Sequence, residues 1–414
     1  MFTVKKHIIT CQSIRGGAHA TTTAAQPASL KLAVKEYIPK TDRVRDANTT
    51  RVTIIAAHAN GIPKEAYEPL WEELGWRLGD SLGGIWIADC AHQGESGVLN
   101  EGLVGHDPNW FDHSRDLLAL VHAFQDPIQP PIVGVAHSMG CAQLVQLSTM
   151  HPRLFQSLIL IEPVIRETIP AGPNAALMAT NRPDLWSSLS AAKSDFQRSK
   201  FYRSWDKRVL DKYTEYGLRR TPTLLYPDAA DGSVTLATTK HQEAWSYVRP
   251  LFAARPADGR IDEQERLIAG DMPTEQAQYQ FHRAESIIAS ESLPSLYPYT
   301  TWIFGSKSYI NSRADREDLV ARTGRSVRGS AGVNSLVVDG AGHGLPLEKV
   351  SETAGLMSGQ IEMCLIKYRE EVGFWKTYDS GKSARGGLVV SETWEKAVRE
   401  RSDVKRPLAP APKL

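Results

Sequence analysis

One serine in this chain stands where its hydroxyl could become a nucleophile. Ser138 lies in Ala136-His137-Ser138-Met139-Gly140, between the apolar run Ile132-Val133-Gly134-Val135 and a stretch of small and aliphatic residues from Cys141 to Met150. A strand that turns sharply into a helix brings two backbones almost into contact, so the positions two before and two after the serine must be tiny. Alanine and glycine meet that demand. The pattern is the G-x-S-x-G nucleophile elbow with alanine in the first glycine position. A serine hydroxyl is a weak nucleophile at neutral pH and needs a base to take its proton. His343 is the candidate base. It follows the apolar run Ser335-Leu336-Val337-Val338 in Asp339-Gly340-Ala341-Gly342-His343-Gly344, where glycines let a loop fold back over the elbow. His137 and His113 are expected to be structural.

The acid that orients the histidine has two possible places. After Thr300-Thr301-Trp302-Ile303-Phe304 comes Gly305-Ser306-Lys307-Ser308-Tyr309, without a carboxylate; Asp315, Glu317 and Asp318 follow at the start of a solvated helix. The other place is the end of Ser157-Leu158-Ile159-Leu160-Ile161, where Glu162-Pro163 follows directly. A carboxylate behind such an apolar run needs a charged partner, because burying it alone is costly. Glu162 is therefore the preferred acid, fixing the tautomer of His343 and stabilising its charged form. A tetrahedral intermediate also needs hydrogen-bond donors for its oxyanion. The backbone N–H of Met139, next after the nucleophile, is one. The second is assigned to the loop His58-Ala59-Asn60-Gly61, with Asn60 preferred and positions 59 and 61 left open.

The elements that must position these groups alternate between short apolar, β-branched runs and amphipathic stretches. Strands are predicted over Thr3–Thr10, Leu30–Tyr37, Val52–Ala57, Ile85–Ala88, Ile132–Val135, Ser157–Ile161, Thr300–Phe304 and Ser335–Val338. Helices are predicted over Lys64–Leu78, Trp110–Phe124, Cys141–Met150, Ala314–Thr323 and Lys349–Glu371. Such alternation predicts a mostly parallel sheet covered by helices, and with the elbow it predicts the α/β-hydrolase fold. Between about Ile165 and Leu296 the alternation stops, in a segment rich in Trp, Tyr, Arg and Pro whose expected content is helical. An insertion there falls over the carboxyl ends of the strands, where open α/β sheets bind ligands. The expected organisation is a core over residues 1–164, a helical lid over 165–296, the rest of the core over 297–375 and a tail over 376–414.

Bulk properties remove other classes. The 414 residues are 42% hydrophobic, enough for a large core, and carry a formal net charge of +1, so no global basic field exists to hold nucleic acid. The four cysteines, Cys11, Cys90, Cys141 and Cys364, form no C-x-x-C pair and suggest neither a zinc site nor a disulfide framework. Asp89 and His92 sit in Asp89-Cys90-Ala91-His92-Gln93-Gly94-Glu95-Ser96-Gly97, read as loop structure rather than metal ligands. No metal or cofactor is expected. No secretory leader and no bilayer-spanning run is evident. At the far end, Pro412-Lys413-Leu414 follows a Pro- and Ala-rich stretch and is similar to the S-K-L peroxisomal address.

Several stretches together resemble one family, the fungal α/β-hydrolases of secondary-metabolite pathways, typified by the peroxisomal acyl-CoA hydrolase of mycophenolic acid biosynthesis and with members in toxin clusters. They are Gly61-Ile62-Pro63-Lys64-Glu65, Tyr67-Glu68-Pro69-Leu70-Trp71, Gly84-Ile85-Trp86-Ile87-Ala88-Asp89, Asp112-His113-Ser114-Arg115-Asp116-Leu117-Leu118, the elbow with His151-Pro152-Arg153-Leu154-Phe155, and Gly342-His343. The likeness covers the core, reaches the tail near Trp394 and is weak in the insertion. It implies an acyl-CoA thioesterase of the peroxisomal matrix, its partners an acyl-CoA or ester substrate and a peroxisomal import receptor. The family's acid is typically aspartate where this chain has Glu162, and Ala136 and Ala59 stand where the family has glycine. Two other activities use the same pocket: acyl transfer or lactone closure, with an alcohol as acceptor, and ligand binding without catalysis.

Overall fold

The computed structural model describes residues 1–17, 19–22, 29–40, 49–168, 172–249, 283–329, 331–379 and 383–400. Its centre is an eight-stranded sheet built from β1 (Phe2–Thr10), β2 (Lys31–Pro39), β3 (Val52–Ala57), β4 (Leu82–Ala88), β5 (Ile132–His137), β6 (Ser157–Ile161), β10 (Tyr299–Gly305) and β11 (Val333–Val338), in the spatial order β1-β2-β4-β3-β5-β6-β10-β11. β1 and β2 pair antiparallel, as do β2 and β4, and the remaining neighbours are parallel. The parallel strands β3, β5 and β6 are buried at every residue. Both faces of such a strand meet helices, which is why these segments read as unbroken apolar runs.

Alternate residues of one strand feed two separate cores. Ile54 and Ala56 of β3, Val133 and Val135 of β5, and Ile159 and Ile161 of β6 join the core that holds α1 (Glu68–Leu78) through Leu70, Trp71, Leu74 and Leu78. Ile55, Ala57, Ile132, Ala136, Leu158 and Leu160 face the other way. There they meet α3 (Trp110–Ala123) and α4 (Met139–Met150) through Leu117, Leu120, Leu144, Val145 and Leu147. The period-two alternation of side chains in a strand produces this division. The edge strand β1 is mostly exposed and carries Lys5 and Lys6 outward, charges that discourage pairing with another chain. In the segment Asp89–Gly97, read from sequence as loop, a short helix α2 (Gly94–Leu99) begins at Gly94.

Between β6 and β10 the chain forms α5 (Ala175–Asn181), α6 (Leu189–Arg198), α7 (Lys207–Tyr216), α8 (Lys240–Tyr247) and the helix Ala284–Ser292. It also forms a small antiparallel sheet of β7 (Leu185–Trp186), β8 (Leu218–Arg220) and β9 (Val234–Leu236), ordered β7-β9-β8, which the helical expectation did not include. Strands of two or three residues are too short to show a period. The packing that stabilises them is aromatic: Trp186, Phe196, Tyr202, Trp205 and Tyr213 make ring contacts with one another.

The chain divides into two compact units, Met1–Leu365 and Ile366–Leu414. The first holds both sheets and every element named so far. In the second, the helix Glu392–Glu400 has no buried residue among those described. No helix among the described residues is long and apolar enough to cross a membrane. Pro412-Lys413-Leu414 lies outside the described residues.

Candidate active site

Ser138 is the last residue before α4 and has φ 56° and ψ −117°, a left-handed backbone that a residue with a Cβ avoids. Holding a non-glycine residue there costs about 1–3 kcal/mol. The neighbours enforce it. The Ser138 N–H donates to the Ile161 carbonyl at 3.0 Å, and α4 presses so closely on β3 that a Cβ at Gly140 would lie 2.5 Å from the Ala57 carbonyl oxygen. The turn lifts the Ser138 hydroxyl clear of the sheet, and its Oγ lies 2.9 Å from His343 Nε2.

His343 arrives on the loop after β11. Its Nδ1 lies 3.2 Å from Glu162 Oε2. A carboxylate can only accept, so Nδ1 carries the proton and Nε2 is left to accept from Ser138. Glu162 follows β6 directly, has φ 49° and is fully buried. Its oxygens also accept from the Gly305 N–H at 2.6 Å, the Ser308 hydroxyl at 2.5 Å and Asn311 Nδ2 at 3.4 Å. Those donors make a buried carboxylate tolerable. Asp315, the competing acid, is engaged elsewhere. It closes a capping box with Ser312 at the start of the helix Arg313–Arg322 and lies 3.5 Å from Arg166.

The structure thus brings Ser138, His343 and Glu162 together from three different strand ends. Met139 and Asn60 flank the same place. The Met139 N–H opens α4 and has no hydrogen-bond partner among the described residues. In the loop after β3, the Ala59 N–H donates to the Tyr67 hydroxyl at 3.0 Å and the Gly61 N–H donates to Gln93 Oε1 at 2.8 Å. Of the three positions left open by the sequence, only Asn60 keeps a backbone N–H without a partner among the described residues. Its side chain is clamped: Oδ1 accepts from Gln93 Nε2 at 2.7 Å and Nδ2 donates to the Glu243 carbonyl at 2.9 Å.

His137, expected to be structural, and Tyr67 and Gln93, given no role from sequence, position these loops. His137 Nε2 lies 2.9 Å from the His343 carbonyl, so it donates there, and its Nδ1 accepts from the Tyr67 hydroxyl at 2.9 Å. Complete burial depresses its pKa to about 3, which keeps it neutral. Tyr67 and His137 therefore tie the Asn60 loop to the His343 loop. Gln93 grips two consecutive residues of the Asn60 loop at once. Nothing in spacing signals these bridges, since the partners lie anywhere from 8 to 206 residues apart. Asp89 and His92 are also occupied: Asp89 accepts from Lys64 Nζ at 2.7 Å, and His92 Nε2 lies 2.9 Å from the Ser246 hydroxyl.

Above these groups lies a cavity of about 720 Å³, lined by Ser138, His343 and Asn60 from the core and by Met178, Phe196, Trp205, Arg182 and Glu243 from the segment between β6 and β10. This lies within the usual range for small-molecule sites. The half-buried Arg182 is paired in place, donating to Glu243 at 2.7 Å and to the Tyr202 and Tyr213 hydroxyls.

Comparison with known proteins bears on the family and the fold. The type I acyl-CoA thioesterase mpaH of Penicillium roqueforti is 34% identical, the match covering 96% of this chain and 95% of that one. An abhydrolase domain-containing protein of Alternaria alternata, ACTT2-1, is 28% identical over 58% of this chain and 87% of its own. Among solved structures, the peroxisomal alpha-beta-hydrolase Lpx1 of Saccharomyces cerevisiae shares the fold, with a TM-score of 0.67 at 18% identity over 94% of this chain and 99% of that one. The model of the alpha/beta hydrolase family matches residues 54–355. A chain matched over that length, with the strand order and elbow described above, belongs to the alpha/beta hydrolase family and is a hydrolase.

Proposed function

We propose that this hydrolase cleaves an acyl-CoA thioester through a Ser138–His343–Glu162 triad and an acyl-enzyme. The observation that carries the reading is the hydrogen-bonded line from Ser138 Oγ to His343 Nε2 and from His343 Nδ1 to Glu162, on the floor of a cavity that can hold an acyl chain. The substrate class is supported by the Penicillium relatives named acyl-CoA thioesterases, to which this chain is similar along nearly its whole length. In the reaction His343 takes the Ser138 proton as Oγ attacks the thioester carbonyl. The negative charge passes to the carbonyl oxygen, where the Met139 and Asn60 N–H groups receive it. Collapse expels the CoA sulfur, which takes the proton from imidazolium. Water, deprotonated by His343, then attacks the acyl-Ser138 ester; the acyl–Oγ bond breaks, Oγ takes the proton back from imidazolium, and the free acid leaves. Glu162 stabilises imidazolium in both halves.

Incubation with a panel of acyl-CoAs, with thiol release followed by colour and products by mass spectrometry, tests the reading. Free acid plus CoA, and no release by Ser138→Ala, is the expected result. An ester product in the presence of an alcohol would instead identify an acyltransferase. Failure of a fluorophosphonate probe to label Ser138 would identify a binding protein. The proposed setting is a fungal secondary-metabolite pathway in the peroxisomal matrix. The family resemblance supports it, as does the tripeptide Pro412-Lys413-Leu414, which an import receptor would read.

A further inference from the structure

The segment 198–208, Arg-Ser-Lys-Phe-Tyr-Arg-Ser-Trp-Asp-Lys-Arg, holds five cations and one carboxylate, in a chain whose net charge is only +1. Arg198, Ser199 and Phe201 line the cavity above Ser138, so this cationic stretch stands at its wall. The charges are largely free. Arg208 is engaged with Asp206 and Glu73, and Arg198 pairs only at 3.4 Å with Asp195 while its side chain stays 70% exposed. Lys200, Arg203 and Lys207 are exposed and have no ion-pair partner among the described residues. Phe201, in their midst, is 56% exposed although it borders the cavity.

We infer that this stretch is the subsite for the 3′-phosphoadenosine diphosphate portion of coenzyme A, with Arg198, Lys200 and Arg203 meeting the phosphates and Phe201 stacking on the adenine. The inference rests on the thioesterase reading and adds to it which end of the substrate faces out. The nucleotide portion carries about four negative charges at neutral pH. It is too polar to enter a cavity lined by Met178, Phe196 and Trp205, which is left for the acyl and pantetheine chains. Two lining carboxylates, Asp195 and Glu348, are each held by a donor outside the stretch. Asp195 accepts from the Trp186 indole N–H at 3.1 Å, and Glu348 accepts from the Gly342 N–H at 2.9 Å. The platform is also tied to the catalytic loop: the Asp206 N–H donates to the Leu347 carbonyl at 2.8 Å, four residues beyond His343. Exposed cations of this kind act together, raising encounter rates and affinity in a salt-dependent way.

The test compares an acyl-CoA with the same acyl group on N-acetylcysteamine, which keeps the thioester and loses the nucleotide. In the double variant Lys200→Glu/Arg203→Glu, the KM for the CoA ester relative to the truncated ester should rise by about tenfold or more, and the rise should shrink in high salt. Lys5→Glu, on the far edge strand, should leave that ratio unchanged. Calorimetric titration with adenosine 3′,5′-bisphosphate should show binding to the wild type and weaker binding to the double variant. An unchanged KM ratio, or equal bisphosphate binding by both proteins, overturns the subsite. If the wild type hydrolyses neither thioester, the thioesterase reading fails, and the bisphosphate titration still decides the subsite by itself.

Discussion

Ser138 and Glu162 are the two non-glycine residues with positive φ among the described residues, and they stand at the ends of adjacent parallel strands. Each spends backbone strain to present a side chain at the same place, and strain of this kind persists only where surrounding structure enforces it. Ser138→Ala removes the hydroxyl and leaves the turn. Turnover should vanish while thermal unfolding shifts by an amount equivalent to about 1 kcal/mol; retention of most activity in the folded variant would remove Ser138 from the mechanism. Glu162→Gln keeps the volume and removes the charge that holds imidazolium, so kcat should fall by roughly a thousandfold or more. Asp315→Asn, which alters only a helix cap and a partly buried 3.5 Å pair with Arg166, should leave kcat within about twofold. Steady-state kinetics on the two variants settles which carboxylate serves His343, and the reverse ranking would reassign the acid.

Among the elements, the loop after β3 depends most on partners distant in sequence. Its Asn60 N–H is available because Tyr67 and Gln93 take the N–H groups on either side, and because Gln93 and Glu243 hold the Asn60 side chain. Glu243 belongs to α8, so the insertion between β6 and β10 helps to set a donor of the core. Gln93→Leu frees both Asn60 Oδ1 and the Gly61 N–H. An oxyanion donor that is no longer held in place loses most of its worth, so kcat should drop by about 10- to 100-fold with little change in KM. A variant that changes KM alone would show that Gln93 shapes the pocket rather than the donor. That role was invisible in the sequence, where Asp89–Gly97 reads as a turn-rich loop. The helix starting at Gly94 and the partnership with Asn60 arise only when β3 and β4 lie side by side.

For the molecule as a whole, buried histidines set the response to acid. His92 and His137 have pKa values depressed to about 3 by burial, and His58 and His113 are lowered for the same reason. In the unfolded chain each titrates near 6.5, so between these values the unfolded state binds protons that the folded state refuses. For His92 and His137 the stabilising contribution is complete above pH 6.5 and is lost as pH falls toward about 3. At pH 5 these two each cost about 2 kcal/mol. Denaturant midpoints should therefore fall steeply between pH 7 and pH 5, and His92→Gln should flatten that dependence; an unchanged slope would show that His92 does not carry it. The proposed compartment is tested on the intact chain. An amino-terminal fluorescent fusion should gather in punctate organelles of a fungal cell, and removal of Pro412-Lys413-Leu414 should disperse it. Diffuse signal from the intact fusion would refute the address.

The central strands were legible because a buried parallel strand must be apolar at nearly every position, and β3 and β6 match their predicted bounds to the residue. The elbow was legible because α4 presses on β3 and leaves room for no side chain at 140. Glu162 stood out as a charge directly behind an apolar strand. These signals are local, set by period, size or polarity within a few residues. What only the tertiary structure decided is non-local. The choice of Asn60 over its neighbours depends on Tyr67 and Gln93, and the bridging role of His137 depends on a carbonyl 206 residues away. The short strands β7, β8 and β9 exist because aromatic side chains from separate segments pack over them. No pattern along the chain encodes such pairings, because each partner's role is defined only after folding removes water and leaves its polar groups with one another as the available partners.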